Sequence, residues 1–352
     1  MAYYRNRIVT AIIREGAVSN KAWIGEVLRH RAGVPVPYNL PLSPPARRKL
    51  EEHYGTGDVE GFLDLPIRMR GPKSIKPLYA SPEQYGSRVA DEFGVVWSTS
   101  PIDRGSPVGP CIPGPDLAGY TFPDPAAAYR FEDFGAWCRQ NARQYTIVWV
   151  GDLWERATFM CGMERLLLWT ATEPEFVGSL LDGIADYILG TMDVLFERFR
   201  FDGIALSDDY GTQQSMLISP ATWRRLVKPR LARIFARAKA AGRTVFLHSC
   251  GNVGAVVPDL VELGLDILHP IQPEALDCVE LKRQFGSELT FCGGVRTQDL
   301  LPRGTPDEIR REVARLQNQL GTGGGYILEP GITLQADVPL ENILALIDAA
   351  GS

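Results

Sequence analysis

The chain has 352 residues, of which 45% are hydrophobic and 22% are charged, a balance typical of a globular protein with a large core. A formal net charge of −5 and the lack of a Lys/Arg-rich run exclude a general nucleic-acid binder. No apolar stretch approaches the roughly 18 residues that span a bilayer, and residues 1–14 lack the apolar core of a signal peptide. We therefore expect a cytoplasmic protein with neither nucleic-acid nor membrane partners.

The first part of the chain, residues 1–140, is dense in proline and glycine. It predicts an N-terminal extension with a helix, a first strand near Pro35–Leu40, irregular insertions and a strand near Phe93–Trp97. Because proline and glycine interrupt regular elements, the boundaries of these elements are weakly marked.

A regular rhythm begins in residues 141–352, where short runs rich in β-branched and aromatic residues alternate with helical stretches. These runs are continuously hydrophobic, as expected for strands that are buried on both faces. Six such units, with one or two more in residues 1–140, predict a single domain over residues 1–352 with a distorted (β/α)8 TIM-type barrel. A doubly wound open sheet is the rival, disfavoured because no GxGxxG motif follows any of the runs. The runs are Thr146–Val150, Ile204–Leu206, Val245–Leu247, Ile267–Ile271, Leu289–Cys292 and Tyr326–Leu328.

Helix boundaries in this half of the chain are clearly marked. Ser219 followed by Pro220 predicts an N-cap with proline in the first turn, and Pro229 should interrupt the helix that follows. Thr305 and Glu308 flank Pro306 in the pattern of a capping box.

Polar side chains follow most of the predicted strands. Barrel enzymes place their catalytic groups at the carboxyl ends of the strands, so Asp208 and Asp209 are candidates for general acid–base catalysis or metal binding. The alternative is that one of them caps the turn before Gly211. Asp152, Trp154 and Gln272 also follow predicted strands and are candidates for substrate binding. For Trp154 the alternative is packing in the core.

His248 and Cys250 form the sharpest candidate site. At positions i and i+2 of an extended chain their side chains point to the same side, so imidazole and thiolate can bind one cation, and zinc suits such mixed ligands. The alternative is a buried thiol beside a hydrogen-bonded histidine. The six cysteines are irregularly spaced, which predicts reduced thiols or ligands rather than disulfides. Glu329 ends a buried strand and therefore needs a metal, a cation or hydrogen bonds.

Four stretches within residues 204–349 match a known family strongly: LISPATWRRLVKPRLARIFARAKAAGRTVFLHSCGNV, VPDLVELGLDILHPIQP, LKRQFGSELTFCGGVRTQDLLPRGTPDEI and GGGYILEPGITLQADVPLENI. Three shorter stretches upstream match it weakly: AGVPVPYN, DEFGVVW and PDPAAAYRF. Through these stretches the chain resembles the uroporphyrinogen decarboxylase superfamily, and within it the branch of corrinoid-dependent methyltransferases. The resemblance implies the same distorted (β/α)8 barrel.

The resemblance also implies a metal site. Zinc methyltransferases of this superfamily bind metal through His-x-Cys and a later Cys in a Pro-Gly-Cys context. His248 and Cys250 match the first part, but the later position reads Pro330-Gly331-Ile332, and isoleucine cannot bind metal. Either the metal is lost in this chain, or another group completes the site, and the candidates for that third ligand are Glu329, Asp208 and Asp209.

The resulting hypothesis is a metal-dependent methyltransferase that moves a methyl group between a small molecule and a corrinoid carried by a partner protein. Since relatives are often dimers, the resemblance also implies a homodimer. The first alternative is a metal-independent decarboxylase- or lyase-like enzyme acting on a small carboxylated substrate, with Asp208, Asp209 and His248 as its acid–base catalytic groups. Against decarboxylation of porphyrinogens, the chain has no arginine-rich W-x-M-R-Q-A-G-R motif near its start. The second alternative is a non-catalytic binding protein on the same barrel.

Overall fold

The computed structural model describes residues 19–352, so the pattern at residues 1–14 lies outside the described part of the chain. Strands and helices alternate along it. The strands are β1 (Ile67–Arg70), β2 (Arg88–Ala90), β3 (Val96–Ser98), β4 (Pro107–Gly109), β5 (Tyr145–Gly151), β6 (Gly203–Ser207), β7 (Thr244–His248), β8 (Ile267–Ile271), β9 (Thr290–Val295) and β10 (Tyr326–Pro330).

The helices lie between these strands in the pattern expected of a β/α fold. Two short 3-10 helices add Ala128–Phe131 and Gly254–Val256. The α-helices are α1 (Asn20–Leu28), α2 (Pro44–Tyr54), α3 (Val59–Phe62), α4 (Pro82–Tyr85), α5 (Phe134–Gln140), α6 (Trp154–Cys161), α7 (Met163–Thr172), α8 (Pro174–Arg198), α9 (Pro220–Leu226), α10 (Lys228–Ala240), α11 (Val257–Glu262), α12 (Cys278–Phe285), α13 (Leu300–Arg303), α14 (Pro306–Leu320) and α15 (Leu340–Ala350).

The main sheet has the strand order β1-β5-β6-β7-β8-β9-β10. The pairs β5–β6, β6–β7, β8–β9 and β9–β10 are parallel. Sequential parallel neighbours joined by helices are the topology of a β/α barrel rather than of a doubly wound sheet, in which the strand order reverses. The predicted fold class is therefore confirmed, and each of the six apolar runs coincides with one of the strands β5 to β10, although the fifth run begins one residue before β9.

The N-terminal elements differ from their predicted form. The expected strand near Pro35–Leu40 is reduced to isolated parallel bridges, Tyr38 with Leu328 and Leu42 with Leu334. Prolines in this segment have no N–H to donate to a ladder, which explains why regular pairing stops there. The strand expected near Phe93–Trp97 is β3, and it lies in a separate antiparallel sheet of order β2-β3-β4.

The described residues form two compact units. The first unit contains residues 19–68, 141–146 and 266–352, and the second contains residues 69–140 and 147–265. Strands β8 to β10 pair within the first unit, and the pairing of β6 with β7 belongs to the second. The organisation of residues 1–352 as one domain, with an extension at 1–140 and regular units at 141–352, stays a prediction.

The predicted helix boundaries are confirmed. The Ser219 side chain accepts a hydrogen bond from the backbone N–H of Thr222 at the start of α9. Helices α9 and α10 are separated at Val227, and Pro229 occupies the first turn of α10. Thr305 and Glu308 form a reciprocal capping box at the start of α14. These local signals therefore position the helices that connect the strands.

All six cysteines are free thiols, as the irregular spacing predicts. Cys278, the first residue of helix α12, is buried, with an exposed fraction of only 7%. Its neighbour Val279 is 46% exposed instead, so α12 is rotated to turn the thiol inward. Across residues 19–352, no helix combines the length and apolar character needed to cross a bilayer.

Candidate active site

The site in the second unit is built on the end of strand β7. His248 is the last residue of β7, and its partner across the parallel register is Ser207, the last residue of β6. Cys250 follows two residues later, and its Sγ lies 3.4 Å from His248 Nε2. The two predicted ligands are therefore adjacent, on the carboxyl side of the strand, where barrel enzymes carry their catalytic groups.

Asp209 joins this pair from the loop after β6. Its Oδ1 accepts a hydrogen bond of 2.7 Å from the backbone N–H of Cys250 and lies 3.5 Å from His248 Nε2. Two glycines allow this approach, because a Cβ on Gly251 would lie 2.5 Å from the carbonyl carbon of Gly211. Gly251 also has a φ of 82°, which favours glycine. The two loops thus touch through their backbones and bring the carboxylate to the thiol.

These three side chains fit a zinc ion. Asp209, His248 and Cys250 each offer one donor atom, and the three atoms lie within 4.8 Å of one another. A tetrahedral zinc site with bond lengths of 2.0–2.3 Å has ligand atoms about 3.2–3.8 Å apart. The observed separations of 3.4 and 3.5 Å from His248 Nε2 match that spacing. The oxygen, nitrogen and sulfur donors are also the types that zinc accepts.

The electrostatics of the site favour a bound cation. Burial raises the pKa of the Cys250 thiol, and the nearby carboxylates of Asp209 and Glu155 raise it further. Burial, with the charge of Asp209, also raises the pKa of Glu155 to about 7, although Arg104 and Ser207 act in the opposite direction. A divalent cation at the three donors would reverse the effect on the thiol, since a coordinated thiol loses its proton.

Asp208 has a different environment from its neighbour Asp209. It is fully buried, and its Oδ1 accepts backbone N–H bonds from Leu153 (2.9 Å) and Glu155 (3.0 Å) at the start of α6. Its Oδ2 accepts a bond of 2.8 Å from the Tyr210 hydroxyl. Burial raises its pKa well above the usual value despite these bonds. Its carboxyl group therefore holds the start of α6 and is not one of the three donors that gather at His248.

Glu329, the other carboxylate considered as a ligand, belongs to the first unit. There its Oε1 lies 3.0 Å from His269 Nε2, and its Oε2 accepts hydrogen bonds from Asn39 Nδ2 (2.9 Å) and Cys292 Sγ (3.5 Å). Burial alone would raise the pKa of Glu329, but these partners hold it below its usual value. In the second unit, the carboxylate that joins His248 is that of Asp209.

Comparison with known proteins identifies the family. A family model described as uroporphyrinogen decarboxylase (URO-D) matches residues 138–352, more than half of the chain. The chain belongs to the uroporphyrinogen decarboxylase family. The resemblance stated from the motifs alone is thereby confirmed.

Curated relatives within the uroporphyrinogen decarboxylase family include methyltransferases and decarboxylases. The chain is 26% identical over 193 residues to a methylated-thiol–coenzyme M methyltransferase of Methanosarcina mazei, covering 55% of this chain and 49% of that protein. It is 26% identical over 193 residues to a methylcobamide:CoM methyltransferase of Methanosarcina barkeri, covering 55% and 54%. It is 31% identical over 136 residues, 37% of each chain, to a uroporphyrinogen decarboxylase of Thermus thermophilus. The chain thus spans about half the length of the methyltransferases it matches.

A solved structure confirms the fold of this family. A methyltransferase from Methanosarcina mazei superposes with a TM-score of 0.71 and 19% sequence identity, covering 94% of this chain and 98% of that chain. Similarity at this level of identity establishes the shared fold only.

The residues expected to bind substrate are distributed over both units. In the second unit, Asp152 forms an ion pair of 3.2 Å with Arg156, which also pairs with Asp91 at 2.7 Å. Trp154 is fully buried at the start of α6. In the first unit, Gln272 is 4% exposed and directly follows β8. Their role in substrate binding stays a prediction.

The predicted site residues did not include Glu155 or its two polar partners, Arg104 and Ser207. Arg104 Nη2 lies 3.3 Å from Glu155 Oε1, and the Ser207 hydroxyl donates a bond of 3.1 Å to Glu155 Oε2. Glu155 stands shortly after β5, where a strand-end carboxylate is a recognisable signal. Arg104 comes from the proline-rich segment before β4, where nothing in the local pattern indicates its position.

Glu155→Gln is expected to flatten the pH dependence of stability in the metal-free chain. The folded chain keeps the Glu155 proton up to a pKa of about 7, compared with an ordinary value of 4.5. The folded state therefore binds more protons between these pH values, and the free energy of unfolding falls as pH rises through the window. Denaturant titrations below pH 4.5 and above pH 7 should show that the free energy of unfolding falls less between these pH values in the variant than in the parent. An equal fall in both chains would contradict the raised pKa of Glu155.

Proposed function

We propose that this chain transfers a methyl group between a small molecule and a corrinoid carried by a partner protein, with a zinc ion held by Asp209, His248 and Cys250. The observation that carries the proposal is the cluster of oxygen, nitrogen and sulfur donors at the end of β7. It lies in a chain of the uroporphyrinogen decarboxylase family whose relatives include enzymes named as methylcobamide:CoM methyltransferases.

Zinc, when bound, supplies a positive charge that keeps a coordinated substrate thiol deprotonated near neutral pH. In this proposal Asp209 supplies the third ligand, since Ile332 stands where the family pattern has a cysteine. Three protein ligands would leave a coordination position open for the substrate, as catalytic zinc sites require. The backbone contact between the loops of Gly211 and Gly251 fixes the carboxylate in place before substrate arrives.

In this proposal, Glu155 accepts the proton that the substrate thiol loses. A thiol acceptor loses its proton before its sulfur attacks the methyl carbon. Methyl transfer from a corrinoid would form the new S–C bond as the Co–C bond breaks, with the electron pair of that bond left on cobalt. In the metal-free chain, burial raises the pKa of Glu155 to about 7, so its carboxyl group is the one beside the cluster that we propose accepts the thiol proton. Ser207 and Arg104 bind one carboxylate oxygen each and orient it.

The experiment uses the full chain loaded with zinc, methylcobalamin as the methyl donor and 2-mercaptoethanesulfonate (coenzyme M) as the thiol. We expect the chain to accelerate demethylation of methylcobalamin, with the methyl thioether detected by mass spectrometry. His248→Ala should return the rate to that without protein, whereas Cys138→Ser, which changes a half-buried thiol of α5 outside the cluster, should not.

Two outcomes would support the other functions considered for this fold. Release of carbon dioxide from a carboxylated substrate, undiminished by a chelator, would favour a metal-independent decarboxylase. Saturable binding of ligand by a zinc-loaded chain without acceleration of methyl transfer would favour a non-catalytic binding protein. Either result would overturn the proposal.

A further inference from the structure

We propose that the first unit contains a second transition-metal site, of the class that takes zinc, formed by His269, Cys292 and Glu329. These residues come from three successive strands of one sheet, β8, β9 and β10. They are separate in sequence and in unit from the cluster at His248, so this inference does not depend on the proposed methyl transfer.

The donor atoms of the three side chains converge. His269 Nε2 lies 3.0 Å from Glu329 Oε1, Cys292 Sγ lies 3.5 Å from Glu329 Oε2, and one donor atom from each residue lies within 4.8 Å of the other two. Imidazole, thiolate and carboxylate are three ligand types that zinc accepts, and they supply the three protein ligands of an open four-coordinate site. A fourth position is left for water or a small ligand.

Burial distinguishes this cluster from an ordinary polar patch. The exposed fractions of His269, Cys292 and Glu329 are 6%, 0% and 5%. A buried ionised group needs a counter-charge and hydrogen bonds, and a divalent cation supplies that counter-charge for a carboxylate and a thiolate together. Ion binding releases the Cys292 thiol proton to the solvent.

An outer hydrogen bond orients the carboxylate. Asn39 Nδ2 donates to Glu329 Oε2 over 2.9 Å, from the segment that forms the parallel bridge between Tyr38 and Leu328. Metal-binding side chains are commonly fixed in this way by a neighbour that does not itself touch the ion. The bridge thus places Asn39 beside the strand that carries Glu329.

The backbone of β8 and β9 is closely packed beside the cluster. Gly293 directly follows Cys292 and has a φ of 123°. A Cβ at this position would lie 2.9 Å from the backbone nitrogen of Ile271, so glycine is required for the approach of the two strands. The close approach holds the Cys292 side of β9 against the strand that carries His269.

The test uses the full chain with His248→Ala and Cys250→Ala, which removes two ligands of the other cluster. After treatment with a chelator, the chain is titrated with Co²⁺, whose bonds to thiolates give charge-transfer absorption in the near ultraviolet. We expect about one equivalent of Co²⁺ to bind with this absorption, and Zn²⁺ to displace it. A chain that binds no Co²⁺, or binds it without the thiolate absorption, overturns the proposal.

Variants then assign the absorption to Cys292. In the same background, Cys292→Ser should remove it, Glu329→Gln should lower the Co²⁺ affinity by at least roughly tenfold, and Asn39→Ala by about tenfold. Cys278→Ser is the matched control, since it changes a buried thiol of the same unit that lies outside the cluster, and it should leave the spectrum unchanged. Absorption that survives Cys292→Ser would overturn the assignment.

A measurement that needs no change at Cys292 guards against misfolding of that variant. Zinc-edge X-ray absorption of the chain with His248→Ala and Cys250→Ala should show one sulfur neighbour together with nitrogen and oxygen neighbours. A shell without sulfur would overturn the proposal even if every cluster variant failed to fold.

Discussion

Cys250→Ala is expected to weaken zinc binding at the Asp209–His248–Cys250 cluster by roughly 100-fold or more, which is about 3 kcal/mol. The variant loses the only sulfur donor of the cluster and keeps His248 Nε2 and Asp209 Oδ1, which lie 3.5 Å apart. Loss of a neighbour that only orients a ligand already costs 10–100-fold, so loss of the ligand itself should cost at least as much.

Competition with a chromophoric chelator measures this affinity. The titration is made in a chain that also carries Cys292→Ser, so that the cluster of the first unit does not contribute. Cys138→Ala is the control, because this thiol lies in the same unit outside both donor clusters of the described residues. An unchanged zinc affinity in Cys250→Ala would rule out the cluster as a zinc site.

Asp208→Ala is expected to lower the free energy of unfolding by about 3–5 kcal/mol. The substitution leaves two backbone N–H groups and the Tyr210 hydroxyl without their acceptor in a site that water does not reach. Each unsatisfied buried donor costs about 1–3 kcal/mol. Asp208→Asn should cost less, because an amide oxygen can still accept from the backbone and burial already favours an uncharged group there.

The adjacent residue provides the matched control. Asp209 has a side chain that is 34% exposed, and Asp209→Ala should change the free energy of unfolding of the metal-free chain by less than about 1 kcal/mol while weakening zinc binding. Urea titrations of both variants, with and without zinc, separate the two roles. A result in which Asp208→Ala is as stable as the parent, but loses activity, would restore Asp208 as a catalytic group.

The strands after residue 141 could be predicted because their signals are local. Runs such as Ile267–Ile271 are continuously apolar, and a capping box such as that of Thr305 is complete within four residues. The first strand could not be predicted as it stands, because its prolines limit it to isolated bridges at Tyr38 and Leu42 that depend on partners nearly three hundred residues away.

The pairing of His248 with Cys250 could be predicted because a spacing of two residues places both side chains on one side of an extended chain. Which carboxylate lies beside His248 and Cys250 could not be predicted from the sequence. Asp208 and Asp209 are equivalent in composition, and only the approach of two loops at Gly211 and Gly251 decides which of them reaches the thiol. The partners of Glu329 could not be predicted either, because Asn39, His269 and Cys292 come from different segments of the chain.

The contact between the loops of Gly211 and Gly251 fixes where side chain 209 lies, whatever residue occupies that position. Main-chain atoms set the distance between the loops, so the backbone determines the position of side chain 209 relative to Cys250. The type of donor atom at position 209, hard oxygen or soft sulfur, depends only on which residue occupies that position. If the cluster binds a metal as proposed, an oxygen donor at position 209 would favour harder ions than a second thiolate would, and a substitution at this one position would change the metal preference without remodelling the loops.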